Sequence, residues 1–174
     1  GIELLINSFK AVSKINNDIC LTIVGPWKEE QGGSGREYKD YLLKECKDYN
    51  IEIKDPIFDI ELLIKEYASS NIFCYPSLAE KGEAFGIAPL EAMATGSISI
   101  VSSLECFKDF FKNKENAYVF NHRAENATEL LTNTILDTLE ENEFNKKIRE
   151  NAILTASNFS VEKISNDYIK VFKK

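Results

Sequence analysis

Two glutamates, Glu83 and Glu91, stand with seven residues between them around a Phe-Gly pair, Phe85-Gly86. Pro89 and the helix-forming run from Leu90 to Ala94 follow, and Gly96 closes the segment. An apolar run, 72–75, precedes it and a β-prone run, 98–101, comes after it. The pattern predicts strand, loop, helix and strand, with both carboxylates at the loop–helix junction. Ligands of an open α/β sheet bind beyond the carboxyl ends of its strands. This stretch therefore predicts a binding site rather than core alone.

The rest of the chain supplies elements that could position it. Ile2, Leu5, Ile6, Phe9, Val12 and Ile15 recur at helical spacing and predict an amphipathic helix over 2–16. A β-rich run, 19–24, ends at the turn Gly25-Pro26. Residues 28–36 are polar and glycine-rich and read as an exposed, mobile loop. A helix over 36–49, a strand over 51–54 broken by Asp55-Pro56, and a helix capped by Asp59 and running to Ala68 follow. Beyond the glutamate segment come a short helix over 104–111, a strand over 117–120, and three helices over 124–140, 142–157 and 160–172. The alternation predicts an α/β, Rossmann-like parallel sheet with helices on both faces. Such a sheet normally opens on a strand, whereas this chain opens on a helix. The expectation is a fragment of a longer protein whose first strand, central in a 3-2-1-4-5-6 order, is supplied elsewhere or leaves a gap.

The string Pro76-Ser77, then Glu83-Ala84-Phe85-Gly86, then Leu90-Glu91-Ala92-Met93-Ala94-Thr95-Gly96 resembles the sugar-nucleotide signature of retaining GT-B glycosyltransferases of family 4. The similarity runs from Gly1 to about Phe172. It implies the C-terminal, donor-binding half of a GT-B enzyme over residues 1–174, with the N-terminal acceptor domain absent and the last helices wrapping back over the sheet. It implies hexosyl transfer, with retention, from a nucleoside-diphosphate sugar such as a UDP- or GDP-sugar to a glycan or lipid-linked acceptor. Neither a metal nor a cofactor is implied. The family's Gly-Arg and Lys, which grip the diphosphate ahead of the first helix, have no counterpart here, and the isolated chain is expected to be inactive.

By the same resemblance Glu91 holds the ribose diol, for which an ionised carboxylate is a suitable double acceptor; the bland alternative is a first-turn Glu favoured by the helix dipole. Glu83 lies beside the transferred sugar. It could position a hydroxyl, stabilise oxocarbenium charge or act as a nucleophile, and electrostatic positioning is preferred over the bland reading of a solvated loop residue. Glu80 competes for this place, but the Phe-Gly neighbour favours Glu83. The N–H groups of Phe85, Gly86 and Ile87, at a helix N-terminus, suit a diphosphate; Gly86 could equally serve only the turn. Ile57 and Phe58, next to Pro56, are the candidates for the base, with Phe58 either stacking or buried. Gly25 either faces the cleft or makes a turn. Trp27 either edges the sugar pocket or anchors that turn. Lys28 and Arg36 could replace the missing cations, but a solvated surface role is favoured.

Composition bounds the alternatives. The 174 residues are 44% apolar and 28% charged, with net charge -7. That is one ordinary globular domain, and its acidity disfavours nucleic acid or an anionic membrane as partner. No apolar run is long enough to span a bilayer. A cytoplasmic location is expected, with peripheral contact at the inner membrane face left to the missing domain. Cys20, Cys46, Cys74 and Cys106 lack metal or disulfide spacing and read as reduced structural thiols, Cys20 and Cys74 in strand-like runs. His122 is the sole histidine, which argues against a triad or a metal. Gly32-Gly33-Ser34-Gly35 fits neither a dinucleotide fingerprint nor a P-loop. Two competitors remain: a non-catalytic nucleotide-sugar-binding or scaffold module, and an epimerase of the same fold.

Overall fold

The apolar stripe of the first segment folds as helix α1, Ile2–Val12, which buries Leu5, Ile6, Phe9 and Val12. Ile15 continues the periodicity but not the helix. Ser13 turns its hydroxyl onto the Lys10 carbonyl, the chain leaves through Asn16-Asn17-Asp18, and Ile15 is 71% exposed. The computed structural model describes residues 1–173.

After α1 the chain alternates as expected: β1 (Leu21–Val24), α2 (Gly35–Cys46), β2 (Ile51–Lys54), α3 (Ile60–Ala68), β3 (Ile72–Tyr75), α4 (Ile87–Ala94), β4 (Ile98–Ser102) and β5 (Tyr118–Phe120). Asp59 caps α3, its carboxylate accepting from Leu62 N–H at 3.0 Å. Two segments differ from the sequence expectation. Within 28–36, a 3-10 turn at Glu29–Gln31 precedes the start of α2. The helix expected over 104–111 is a 3-10 turn at Glu105–Phe107: its backbone bonds reach only three residues back, from Phe107 N–H to the Leu104 carbonyl and from Lys108 N–H to that of Glu105, while Phe107, Phe110 and Phe111 turn inward.

All strand pairs are parallel. β1 pairs with β2, and β3 with β4 with β5, as two separate ladders. The sheet is thus divided between β1 and β3. In a parallel sheet covered on both faces strands are normally buried. The central β4 is buried throughout, whereas every residue of β1 and β3 is only half-buried.

One face carries α1 and α5 (Ala127–Leu139), packed on Ile98, Ile100, Tyr118 and Phe120. The opposite face carries α4 and the later turns of α6 (Glu143–Ser157), around Met93, Val101, Phe107, Ala152 and Ala156. α6 joins the two: Ile148 belongs to the first core, and the buried Tyr118 hydroxyl donates to Oδ1 of Asn145 at 2.7 Å. The last helix, α7 (Val161–Phe172), does not wrap back over the sheet. All its residues are exposed.

Candidate functional site

The site grows from the carboxyl end of β3. Tyr75-Pro76 ends the strand, and residues 76–86 lead into α4. Gly86 caps that helix at φ +76, in the left-handed region. A Cβ there would lie 2.5 Å from Cε1 of Phe107, so both conformation and space demand glycine. At the other end Gly96, φ +86, donates to the Met93 carbonyl while Ser97 N–H donates to that of Ala92, the paired bonds of a Schellman terminus. Pro89, Ala92 and Met93 are buried, and Ser99 donates its hydroxyl to the Pro89 carbonyl at 3.2 Å. The helix is therefore held at both ends and along its inner face.

Among the described residues, nothing accepts the N–H groups of Phe85, Gly86 or Ile87. These donors stand at the positive end of α4, where an anion is favoured. Pro89 sits in the first turn, where its missing N–H costs nothing. The Phe85 ring packs against Phe110 and Phe159, centroids 4.8 and 5.6 Å away. Only its backbone is left for a ligand.

Both glutamates are steadied by tyrosines that the sequence reading missed. Tyr75 donates its hydroxyl to Oε2 of Glu83 at 2.8 Å. Tyr67, in the last turn of α3, donates to Oε2 of Glu91 at 3.1 Å. Phe73 lies between the two tyrosines, edge-on to Tyr67 at 5.5 Å and stacked with Tyr75 at 6.4 Å. The row Tyr67–Phe73–Tyr75 thus carries one carboxylate at each end. Burial, then the bond to Glu83, pushes the Tyr75 hydroxyl up to about 12. Burial, then the Glu91 charge, raises Tyr67 as well. Both therefore remain protonated donors at ordinary pH. The available signal was the i, i+2 aromatic pair on one face of β3.

Glu80 has a different role from Glu83. Its Oε1 accepts from His122 Nε2 at 2.9 Å and its Oε2 from Arg123 at 2.7 Å, which together hold its carboxyl below the usual range. Ser103 Oγ lies 3.3 Å from His122 Nδ1. The fold therefore does bring a serine and a carboxylate to the lone histidine. With its side chain 4% exposed, however, His122 is closed off from a substrate.

At the first ladder, Gly25 follows β1 and has open space around its missing Cβ, so no steric demand fixes it. Trp27 Nε1 and Lys39 both donate to Oδ1 of Asp55 at 2.8 Å, joining the loops after β1 and β2. Ile57 is half-buried, whereas Phe58 is 80% exposed; Phe58 is therefore not core. Arg36 is bound to Asp40 on its own helix, and Lys28 lies over the Trp27 ring. Cys20 is exposed and outside β1, contrary to the strand-like reading, whereas Cys74 lies half-buried within β3, its thiol pushed up to about 12 by burial. Among the described residues no group of three or more His, Cys, Asp or Glu could hold a metal.

A parallel sheet clothed by helices, with free amides and two oriented carboxylates at a strand's carboxyl end, is a Rossmann-like architecture, in which ligands bind beyond such strand ends. The chain belongs to the group 1 glycosyl transferases, whose family model matches residues 1–155. It is 28% identical to a glycogen synthase of Clostridium botulinum over 182 aligned positions, covering all of this chain and 35% of that protein. It spans, in other words, about a third of that relative. Its fold matches the C-terminal domains of GT-B glycosyltransferases. Anabaena HepE, solved with UDP and glucose, superposes with TM-score 0.79 at 18% identity, over 99% of this chain and 44% of HepE. The C-terminal domain of LpcC, a Francisella tularensis group 1 glycosyl transferase, gives 0.75 at 18% identity, over 91% and 78%. No helix among the described residues is long and apolar enough to cross a membrane.

Proposed function

We propose that this chain is the donor-binding half of a retaining, family 4 glycosyltransferase that moves a hexose from a nucleoside-diphosphate sugar to a glycan or lipid-linked acceptor. The observation that carries the reading is the pairing of Glu83 and Glu91 about the N-terminus of α4. Each carboxylate is fixed through Oε2 by a tyrosine, and its Oε1 is unengaged by any described residue. Between them the Phe85, Gly86 and Ile87 amides are free.

In this reading Glu91 accepts from the ribose hydroxyls, the amides bind the diphosphate, and Glu83 faces the hexose. There its fixed charge steadies a developing oxocarbenium ion without any reorganisation. The base lies against Ile57 and the exposed Phe58 ring, across from Gly25. The acceptor is held by a separate domain. HepE with bound UDP makes a uridine donor the first to try, and the glycogen synthase relative favours a glycan acceptor.

Calorimetric titration with UDP, GDP and ADP tests this. Selective binding that Glu91→Ala abolishes supports the assignment and names the base. Equal binding by both chains reduces Glu91 to a helix-end charge. One observation favours the competing, non-catalytic module: Arg36 is spent on Asp40 and Lys28 lies against Trp27, so neither is placed as a phosphate cation. Hexosyl transfer by this chain together with its acceptor-binding partner domain would exclude it.

A further inference from the structure

The loop that bears Glu83 is long, residues 76–86, and contains Gly82 at φ +101 with open space around it. Such a segment does not hold a carboxylate in place by itself; a supporting set of contacts must do so. One contact is the Tyr75 hydroxyl, from the strand below. The other comes from far away in sequence. Glu80 stands three residues before Glu83, and both its oxygens are taken, by His122 Nε2 at 2.9 Å and by Arg123 at 2.7 Å.

These two residues follow β5 and are themselves fixed to the end of β4. Arg123 donates to the Ser103 carbonyl at 2.9 Å and to its hydroxyl oxygen at 3.3 Å. Ser103 N–H in turn donates to the Phe120 carbonyl at 3.0 Å. An ionised carboxylate can only accept, so His122 carries its proton on Nε2. Ser103 Oγ lies 3.3 Å from the other ring nitrogen, Nδ1. Each oxygen of Glu80 thus has its own charged or polar donor, and Arg123 is tied in turn to Ser103, so the carboxylate is held from two sides. Cluster and tyrosine meet the loop on either side of Gly82, at Glu80 and at Glu83.

We infer that His122 and Arg123, acting through Glu80, are positioning residues for Glu83, and that they govern affinity for the hexose part of the donor rather than for its nucleotide. This rests on the reading of Glu83 given above. It differs from a general structural role in one measurable respect: the nucleotide's own contacts, at Glu91 and the α4 amides, have separate anchors, in the packing of Phe85 on Phe110 and Phe159 and in α4 itself.

The test is titration of the unaltered chain and of Glu80→Ala, Arg123→Ala, His122→Ala and Glu91→Ala with UDP and with UDP-glucose. Release of Glu83 should weaken UDP-glucose about tenfold in the first three variants, with UDP held to within about twofold. Glu91→Ala should weaken both ligands. Arg123→Lys, which keeps a cation for Glu80, should recover part of the loss, and amide exchange over 79–85 should quicken in Glu80→Ala. Glu80 is exposed, so that variant remains folded even if His122→Ala does not. Unchanged UDP-glucose affinity in Glu80→Ala and Arg123→Ala, with Glu91→Ala still impaired, would overturn the clamp and leave the donor site standing. Equal loss of UDP and UDP-glucose in those variants would also overturn it. Failure of the unaltered chain to bind either ligand would overturn the donor site and the clamp together.

Discussion

Gly86 and Phe107 share one space: the Cβ that any other residue would place at 86 lies 2.5 Å from the phenyl ring, and the backbone there has φ +76. Gly86→Ala therefore meets a left-handed penalty and an overpacked core at once. A loss of about 2–4 kcal/mol is expected, read as a lower urea midpoint with an unchanged slope. A neutral result would mean that α4 starts elsewhere.

Tyr67→Phe keeps the ring against Phe73 but removes the hydroxyl from Glu91. Nucleotide affinity should fall by about 1 kcal/mol, against about 1–3 kcal/mol for Glu91→Ala, because the carboxylate loses its orientation but not its charge. Calorimetry on the two variants checks the order. A larger effect in Tyr67→Phe would point to a direct contact between the hydroxyl and the ligand.

Tyr38 and Tyr75 are both pushed from an ordinary 10.0 to about 12, chiefly by burial. The folded chain thus keeps protons that the unfolded chain releases. Between pH 10 and pH 12 it binds more protons, and unfolding becomes easier as pH rises. Stability should be undiminished by these groups below pH 10 and decline through pH 12, with a gentler decline in Tyr75→Phe. Urea midpoints across that range decide it, and a flat profile would contradict the described burial.

α7 has no buried residue, and Val161 and Phe172 are 84% and 83% exposed. Ending the chain at Ser160 spares Phe159, which packs on Phe85 and Phe110. The stability change should be less than about 0.5 kcal/mol. A marked drop in the urea midpoint would show that the helix is docked in solution.

The chain alone should transfer no hexose, since the proposed acceptor site lies on another domain. Radiolabelled UDP-glucose incubated with the purified chain and a glucan primer checks this. Product above background would place the acceptor site on residues 1–174.

The segment from β3 to β4 was legible because each of its signals is local. The apolar run 72–75, the Gly86 cap, Pro89 in the first turn and the Gly96 terminus each act within a few residues. Asp59 was readable as a cap for the same reason. The tyrosines were hidden because a tyrosine at a strand or helix end looks like ordinary β-propensity or packing. Glu80 and His122 are 42 positions apart, and no periodicity reports such a meeting. Ile15 and α7 mislead in a complementary way: apolar spacing shows which face a helix could bury, but not whether anything lies opposite it. Phe107, Phe110 and Phe111 have the spacing of a single helix face, so periodicity predicted a helix where the backbone takes the tighter 3-10 form.

The division of the sheet has a consequence for the molecule in bulk. β1 and β3 each present an unpaired row of backbone donors and acceptors, and Leu-Thr-Ile-Val and Ile-Phe-Cys-Tyr carry no charged side chain to repel a neighbour. Edges of that kind recruit strands from other molecules. The net charge of -7 opposes such recruitment only while salt leaves it unscreened. Leu21 and Ile72, one on each edge, pack on the same core, so the two edges flank a single gap, and solubility in salt should improve when a strand fills it.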